Sequence, residues 1–211
     1  VDIAPGGDIY VADADNNRVQ VFDSDGVYIK TIGRSERYAF DDDHFFNPGR
    51  VVADAQGNIY VADTNNHRVC VYDDLGDGVA DRVIGTTGVA GSDSSHFNTP
   101  TDVAWWNGRI YVADSHNHRV QVFTEDGAFL YTLGISGVAG ADNVHFREPT
   151  GVFVGEDGKV YVADMGNHRV VRITDISVAA AGVEVYDPSI YGGGDEADDL
   201  LLWFAMGLVI L

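Results

Sequence analysis

"IYVADTNNHRVCVY", residues 59–72, reads as strand, turn and strand, and its turn sets Asp63 four residues ahead of His67, which directly precedes Arg68. Taken alone, these three side chains look like the start of a catalytic or metal site. Nearly the same words recur as "IYVADADNNRVQVF" from Ile9, "IYVADSHNHRVQVF" from Ile110 and "VYVADMGNHRVVRI" from Val160. Asp13, Asp63, Asp114 and Asp164 head the four copies at intervals of 50, 51 and 50 residues, a period that marks a repeat architecture. A site is rarely needed four times. Asn17 stands where the other copies have His67, His118 and His168, so the position reads as a hydrogen-bonding turn residue rather than a ligand.

Within each period, apolar residues alternate with polar ones in short runs bounded by Gly, Asn, Asp and Pro, the pattern of twisted antiparallel strands joined by tight turns. In the second copy the strands are expected near residues 50–54, 58–63, 68–73 and 80–85. The turns "PGGD", "AQGN", "WNGR" and "EDGK" put Gly7, Gly57, Gly108 and Gly158 where a hairpin wants positive φ. Four strands make one blade, with repeats near 1–33, 46–86, 97–134 and 146–185.

Several elements recur in one order: Phe-x-x-Pro, Gly-x-Val or its equivalent, Tyr-Val-Ala-Asp, Asn-His-Arg-Val and a closing Gly. Together with "FNTPTDVAWW" and "FREPTGVFV", they resemble the NHL repeat, a β-propeller blade, over about residues 1–175. The resemblance implies an all-β propeller of four NHL-type four-stranded blades. It also implies structural roles for Asp13 and Arg18, Asp63 and Arg68, Asp114 and Arg119, and Asp164 and Arg169, tying strands together within or between blades. Closed NHL propellers commonly have six blades, whereas this chain carries four and the first lacks its leading Phe-x-x-Pro. Two arrangements remain open: a closed four-bladed ring, since propellers run from about four to eight blades, or an arc completed against another chain.

Thirteen Lys and Arg against 33 Asp and Glu give a formal net charge of -20, which repels phosphate backbones and anionic lipid surfaces and so excludes nucleic acid as the expected partner. Such an excess is tolerated in high salt or on an acidic cell surface, because salt screens self-repulsion over roughly 10 Å or less. The single Cys70 replaces Gln20, Gln121 and Val171 of the other copies and reads as packing; no intrachain disulfide can form.

The connectors between blades, "GRSERYAFDDDHFFNPG", "GTTGVAGSDSSHFNTPT" and "GISGVAGADNVHFREPT", each place an acid three residues before a His-Phe pair. Three imidazoles converging from His44, His96 and His145 would suit zinc with an open coordination position, and the family resemblance includes an amidating-enzyme lyase. One pair per blade, however, spreads them around a circumference, so local bonding to Asp41, Asp93 and Asp142 is the expectation. Asp73, Asp77 and Asp81 surround two glycines in "DDLGDGVAD" in the manner of an oxygen-rich calcium loop, although Leu75 stands where a further acid is wanted. Trp105 and Trp106 follow one another in a strand, so alternation is expected to turn one of them outward as a contact residue; otherwise both pack beneath neighbouring loops.

The tail differs in kind. From Ile176 onward there is no Lys or Arg; residues 186–199 form an acidic, Gly-rich linker, and Leu200 to Leu211 form an apolar segment, expected to be helical. Left in water, that segment would expose a large apolar surface, so it is expected inside a partner or at the start of a membrane anchor. No Gly-rich phosphate loop, Cys-x-x-Cys pair or Gly-x-Ser-x-Gly elbow is present. The sequence thus favours a non-catalytic binding and assembly module, extracellular or on the cell surface, with a protein partner or further copies of itself. A metal-dependent lyase or hydrolase at the propeller axis is the alternative.

Overall fold

A computed structural model describes residues 1–33, 39, 41, 44–73, 78–142 and 144–173. The expected linker at 186–199 and the apolar segment at 200–211 lie outside the described residues. Four antiparallel sheets follow one another along the chain. The first is built from β1 (Asp2–Ile3), β2 (Ile9–Asp13), β3 (Arg18–Phe22) and β4 (Tyr28–Ile32). The second contains β5 (Pro48–Ala53), β6 (Ile59–Asp63), β7 (Arg68–Tyr72) and β8 (Arg82–Gly85). The third contains β9 (Pro100–Trp106), β10 (Arg109–Asp114), β11 (Arg119–Thr124) and β12 (Phe129–Leu133). In the fourth, β13 (Pro149–Val154), β14 (Val160–Asp164) and β15 (Arg169–Ile173) are described. Each sheet is a meander in which sequence neighbours pair.

The hairpin between the first two strands of each blade turns at Gly7, Gly57, Gly108 and Gly158, all at positive φ as the turn words require. The hairpin between the second and third strands holds a short 3₁₀ turn, for example Thr64–Asn66, that ends on a left-handed residue: Asn17, His67, His118 or His168, with φ between 53 and 57°. Asn and His tolerate this conformation better than β-branched residues.

Strand alternation does not divide these blades into a wet and a dry face. It divides them into a face toward the next blade and a face toward the previous one. Tyr10, Val19, Val21 and Ile32 of the first blade pack with Phe45, Val51, Ile59, Val61, Cys70 and Tyr72 of the second. Tyr60, Val69 and Val71 of the second meet Phe97, Val103, Ile110 and Val112 of the third. Tyr111, Val120 and Val122 of the third meet Phe146, Val152, Val160 and Val162 of the fourth. The core is therefore three inter-blade layers, each fully buried Val or Ile contributing about 1.5–3 kcal/mol.

The first strands of successive blades lie side by side, β1 beside β5, β5 beside β9 and β9 beside β13, and so line the axis. Among the described residues, no strand of the fourth blade packs extensively on a strand of the first. Of the two arrangements left open by the sequence, the four described sheets form the open arc.

Candidate functional site

In blades two to four, each Asp–Arg pair ties its blade's central hairpin to the segment that leads into that blade. Asp63 accepts the Phe46 N–H at 2.7 Å on Oδ1, and the Asn66 amide and Arg68 Nε, both at 2.8 Å, on Oδ2. Asp114 does the same for Asn98, Asn117 and Arg119, and Asp164 for Arg147, Asn167 and Arg169. Burial pushes the Asp63 and Asp114 carboxyls up, while the arginine and the backbone N–H pull them back. All eight of these residues take part in such hydrogen bonds, and Asp13 with Arg18, at 2.7 Å, repeats the pair in the first blade.

The guanidinium's remaining N–H groups hold the connectors. Arg68 donates to the His44 carbonyl at 2.7 Å and to the Thr87 hydroxyl at 3.0 Å. Arg119 donates to the carbonyls of Ser92, Asp93 and His96 at 2.7–2.9 Å. Arg169 reaches Ala141, Asp142 and His145 in the same way. The loops at this end of the arc are thus clamped from beneath by buried cations.

On top of the clamped loops the imidazoles take the local role. His44 Nδ1 lies 2.7 Å from Asp41 Oδ1, His96 Nδ1 2.8 Å from Asp93, and His145 Nδ1 2.6 Å from Asp142. The hydrogen bond from His96 holds Asp93 well below the usual carboxylate range. Among the described residues, no three His, Cys, Asp or Glu side chains gather into a metal-holding group. What this end presents is a row of exposed carboxylates, Asp41, Asp93 and Asp142, each oriented by its histidine.

A second charged centre sits on the axial strands. Arg50 of β5 places Nη2 3.6 Å from Asp2 Oδ1 of β1 and Nε 3.7 Å from Asp102 Oδ1 of β9. Asp102 also accepts the N–H groups of Val103 and, across the blade boundary, Val152. Burial pushes its carboxyl up to about 6, against the pull of the Val152 N–H and of Arg50. Sequence reading missed this centre. Its signal is divergence inside a repeat: Arg50, Asp102 and Gly151 occupy one position, two residues after the shared proline and directly before the shared valine.

Trp105 and Trp106 are both half-buried and neither turns outward; Trp105 packs into the layer between blades two and three, Trp106 into the layer between three and four. The Trp106 ring lies over the Gly158 turn, where a Cβ would come within 2.8 Å of it. Alternation sends the two indoles to different neighbouring blades because a blade has protein on both faces. In the calcium-like loop, both Asp73 carboxylate oxygens accept from Arg82 at 2.6 and 2.9 Å, and Asp81 accepts the Asp73 N–H at 2.7 Å. Two of the three expected ligands are thus engaged in holding the hairpin, and Asp77 lies outside the described residues.

The left-handed turn residue has a role beyond its turn. Asn17 Oδ1 accepts the Asn47 N–H at 2.8 Å, His67 Nδ1 accepts Thr99 N–H and His118 Nδ1 accepts Glu148 N–H, both at 3.1 Å. Asn and His interchange because each offers one acceptor at the same reach. Burial lowers the His67 pKa, in keeping with a ring nitrogen that accepts. The Phe-x-x-Pro segment therefore gives one N–H to its own blade's aspartate and the next to the preceding blade. Its Phe ring closes on the preceding blade's Gly33, Gly85 or Gly134 at positive φ, where a Cβ would meet the ring at 2.5–2.9 Å.

Comparison with solved structures finds the same fold in longer chains. Virginiamycin B lyase from Staphylococcus aureus matches with a TM-score of 0.57 and 16% identity over 82% of this chain and 50% of that one. An auxiliary nutrient binding protein from Bacteroides thetaiotaomicron matches with 0.59 and 16% over 80% and 45%. A chain of a nidogen/laminin complex matches with 0.54 and 18% over 80% and 55%. This chain thus spans about half the length of each. Comparison with curated proteins returns no match. The NHL repeat model matches residues 1–22, 45–72, 97–123 and 146–173, one match per blade. The chain belongs to the NHL-repeat β-propellers.

Proposed function

We propose that the chain is a non-catalytic binding and assembly scaffold, extracellular or at the cell surface, whose connector end docks a protein partner with a basic surface and whose blades associate with other copies. The observation that carries this reading is the clamp beneath the connectors. Arg119, itself held by Asp114, fixes the loop carbonyls of Ser92, Asp93 and His96 and leaves Asp93 pointing outward. Loops held rigid before binding lose little entropy on contact, and a carboxylate row steers a cationic partner. The net charge of -20 acts in the same direction and suits a location where salt screens self-repulsion. The apolar segment at 200–211 supplies a further attachment to a subunit or a bilayer.

Titration of lysine-rich, neutral and glutamate-rich peptides, followed by fluorescence anisotropy at low and high salt, tests the docking end. Saturable, salt-weakened binding of the lysine-rich peptide, reduced in a variant carrying Asp41→Asn, Asp93→Asn and Asp142→Asn, supports the proposal. Equal affinity for all three compositions, or none for any, overturns it. A metal-dependent lyase or hydrolase at the axis has one observation in its favour, the Asp102 carboxyl titrating near 6 beside Arg50. Stoichiometric zinc on protein purified without added ions, lost on substituting His44, His96 or His145, would favour that reading instead.

A further inference from the structure

The two middle residues of each Phe-x-x-Pro segment give their N–H groups to acceptors of different kinds. Phe46, Asn98 and Arg147 donate to the carboxylates of Asp63, Asp114 and Asp164. The next residues donate across the blade boundary, Asn47 to Asn17 Oδ1 at 2.8 Å, and Thr99 and Glu148 to His67 Nδ1 and His118 Nδ1 at 3.1 Å. These three donors sit at positive φ, 54, 59 and 48°. Residues other than glycine, and β-branched Thr99 above all, hold that conformation only where the surroundings impose it. The bond across the boundary is part of what imposes it.

A ring nitrogen accepts only while it carries no proton, so both histidines are neutral with their hydrogen on Nε2. A proton on Nδ1 would set one donor against another, whereas the Asn17 amide has nothing to titrate. From this we infer that the fold contains an acid-sensitive release: protonation of His67 and His118 frees the Phe-x-x-Pro segments of blades three and four, while Asn17 keeps its hold on that of blade two. Both rings are half-buried, so solvent protons reach them. Burial lowers the His67 pKa; across the boundary Asp114 pulls it back and His116 lowers it again. On its own hairpin, Asp63 and Arg68 are bound to each other. The unfolded chain therefore takes up the proton first, and the stability that His67 contributes is lost as pH falls below the ordinary imidazole value of about 6.5. Opposite His118, Gly166 stands where His116 does, each giving its N–H to the carbonyl of the residue before the left-handed one. The charged groups at that boundary are Arg147, whose side chain lies over Gly166, Glu148, the Asp164–Arg169 pair and, on the ring's own hairpin, the Asp114–Arg119 pair. The connector imidazoles have the reverse demand. His96 and His145 turn Nδ1 toward Asp93 and Asp142, a bond that a proton on that nitrogen makes rather than breaks. Acid thus frees residues 99 and 148 without freeing the carboxylates, and the device holds whatever the connector end binds.

Hydrogen exchange of single amides, followed by NMR on the full 211-residue chain and expressed as protection over the unstructured rate, tests this on both sides of the imidazole range. Between about pH 7.5 and about pH 5, the protection of the Thr99 and Glu148 amides is expected to fall about tenfold, the loss of one hydrogen bond, while that of Asn47 is kept. Substituting His67→Asn and His118→Asn, which copies Asn17, removes the pH dependence. Nitrogen chemical shifts of the parent protein at neutral pH place the proton of both rings on Nε2, a readout that needs no variant to fold. Protection at residues 99 and 148 that ignores pH, an equal loss at residue 47, a pH dependence that survives both substitutions, or a proton on Nδ1 at neutral pH overturns the inference.

Discussion

Asp63 with Arg68 and Asp13 with Arg18 are the same two residue types five positions apart, bonded at 2.8 and 2.7 Å, yet they inhabit different media. The pair in the second blade is fully sealed, whereas the pair in the first is 27% and 23% exposed. The difference comes from the neighbours. Inner blades have protein on both faces and a Phe-x-x-Pro segment across the top; the end blades have it on one face, and Asp13 receives no backbone N–H from such a segment among the described residues. The same Asp–Arg spacing thus yields a structural bolt in one place and a surface ion pair in another.

The largest test of that contrast is the arginine itself. Arg68→Ala leaves a buried carboxylate unpaired and is expected to cost about 3–5 kcal/mol in denaturant unfolding, against about 1 kcal/mol or less for Arg18→Ala. Equal losses would erase the distinction between inner and end blades.

Two aspartates should respond to pH with opposite sign. Asp102, pushed up to about 6 by burial, binds a proton in the folded state between about pH 4 and 6 that the unfolded chain has released. Its contribution to stability therefore falls as pH rises through that window, by about 3 kcal/mol in all. Asp13 is held low by the hydrogen bond from Arg18, so its contribution is present above the ordinary carboxylate range and is lost as pH falls through it. Thermal unfolding of Asp102→Asn from pH 4 to 7 should lack the falling component that the parent protein shows. Unchanged pH dependence would mean that Asp102 is ionised throughout.

A smaller effect separates a glycine between blades from one in an outer turn. Gly85 and Gly57 both have positive φ, but a Cβ at Gly85 would lie 2.8 Å from the His67 carbonyl and 2.9 Å from the Phe97 ring, while Gly57 faces open space. Gly85→Ala should exceed Gly57→Ala by about 1–3 kcal/mol, the range for overpacking. Smallest is the turn histidine. His118→Ala should cost about 1 kcal/mol more than His168→Ala, because among the described residues only the former strands a neighbouring blade's N–H, and His118→Asn should restore most of the loss, as Asn17 does in the first blade.

The strands of the second blade and its hairpin glycines were legible in the sequence, because each depends on spacing within a single 50-residue unit, whereas a tying role for Asp63 and Arg68 came only from the family resemblance. That Asn17 could replace a histidine pointed to a hydrogen-bonding turn, but its partner, the Asn47 N–H, is 30 residues away and left no local mark. Trp105 and Trp106 were misread because alternation was taken to mean inside and outside. In a stack of blades it means previous and next. Arg50 and Asp102 escaped notice because they break the repeat, and a search for recurring words passes over the position where words differ.

By itself the sequence determined the blade: alternating strands, glycine turns and an Asp–Arg pair recur because each blade must satisfy the same short-range geometry. Only the tertiary structure decided that the described blades form an open arc, that the axial strands bring Arg50 between Asp2 and Asp102, and that Phe153 and Ile3 are left uncovered. Those outcomes depend on how one sheet packs against another, a relation between distant residues that no single repeat contains.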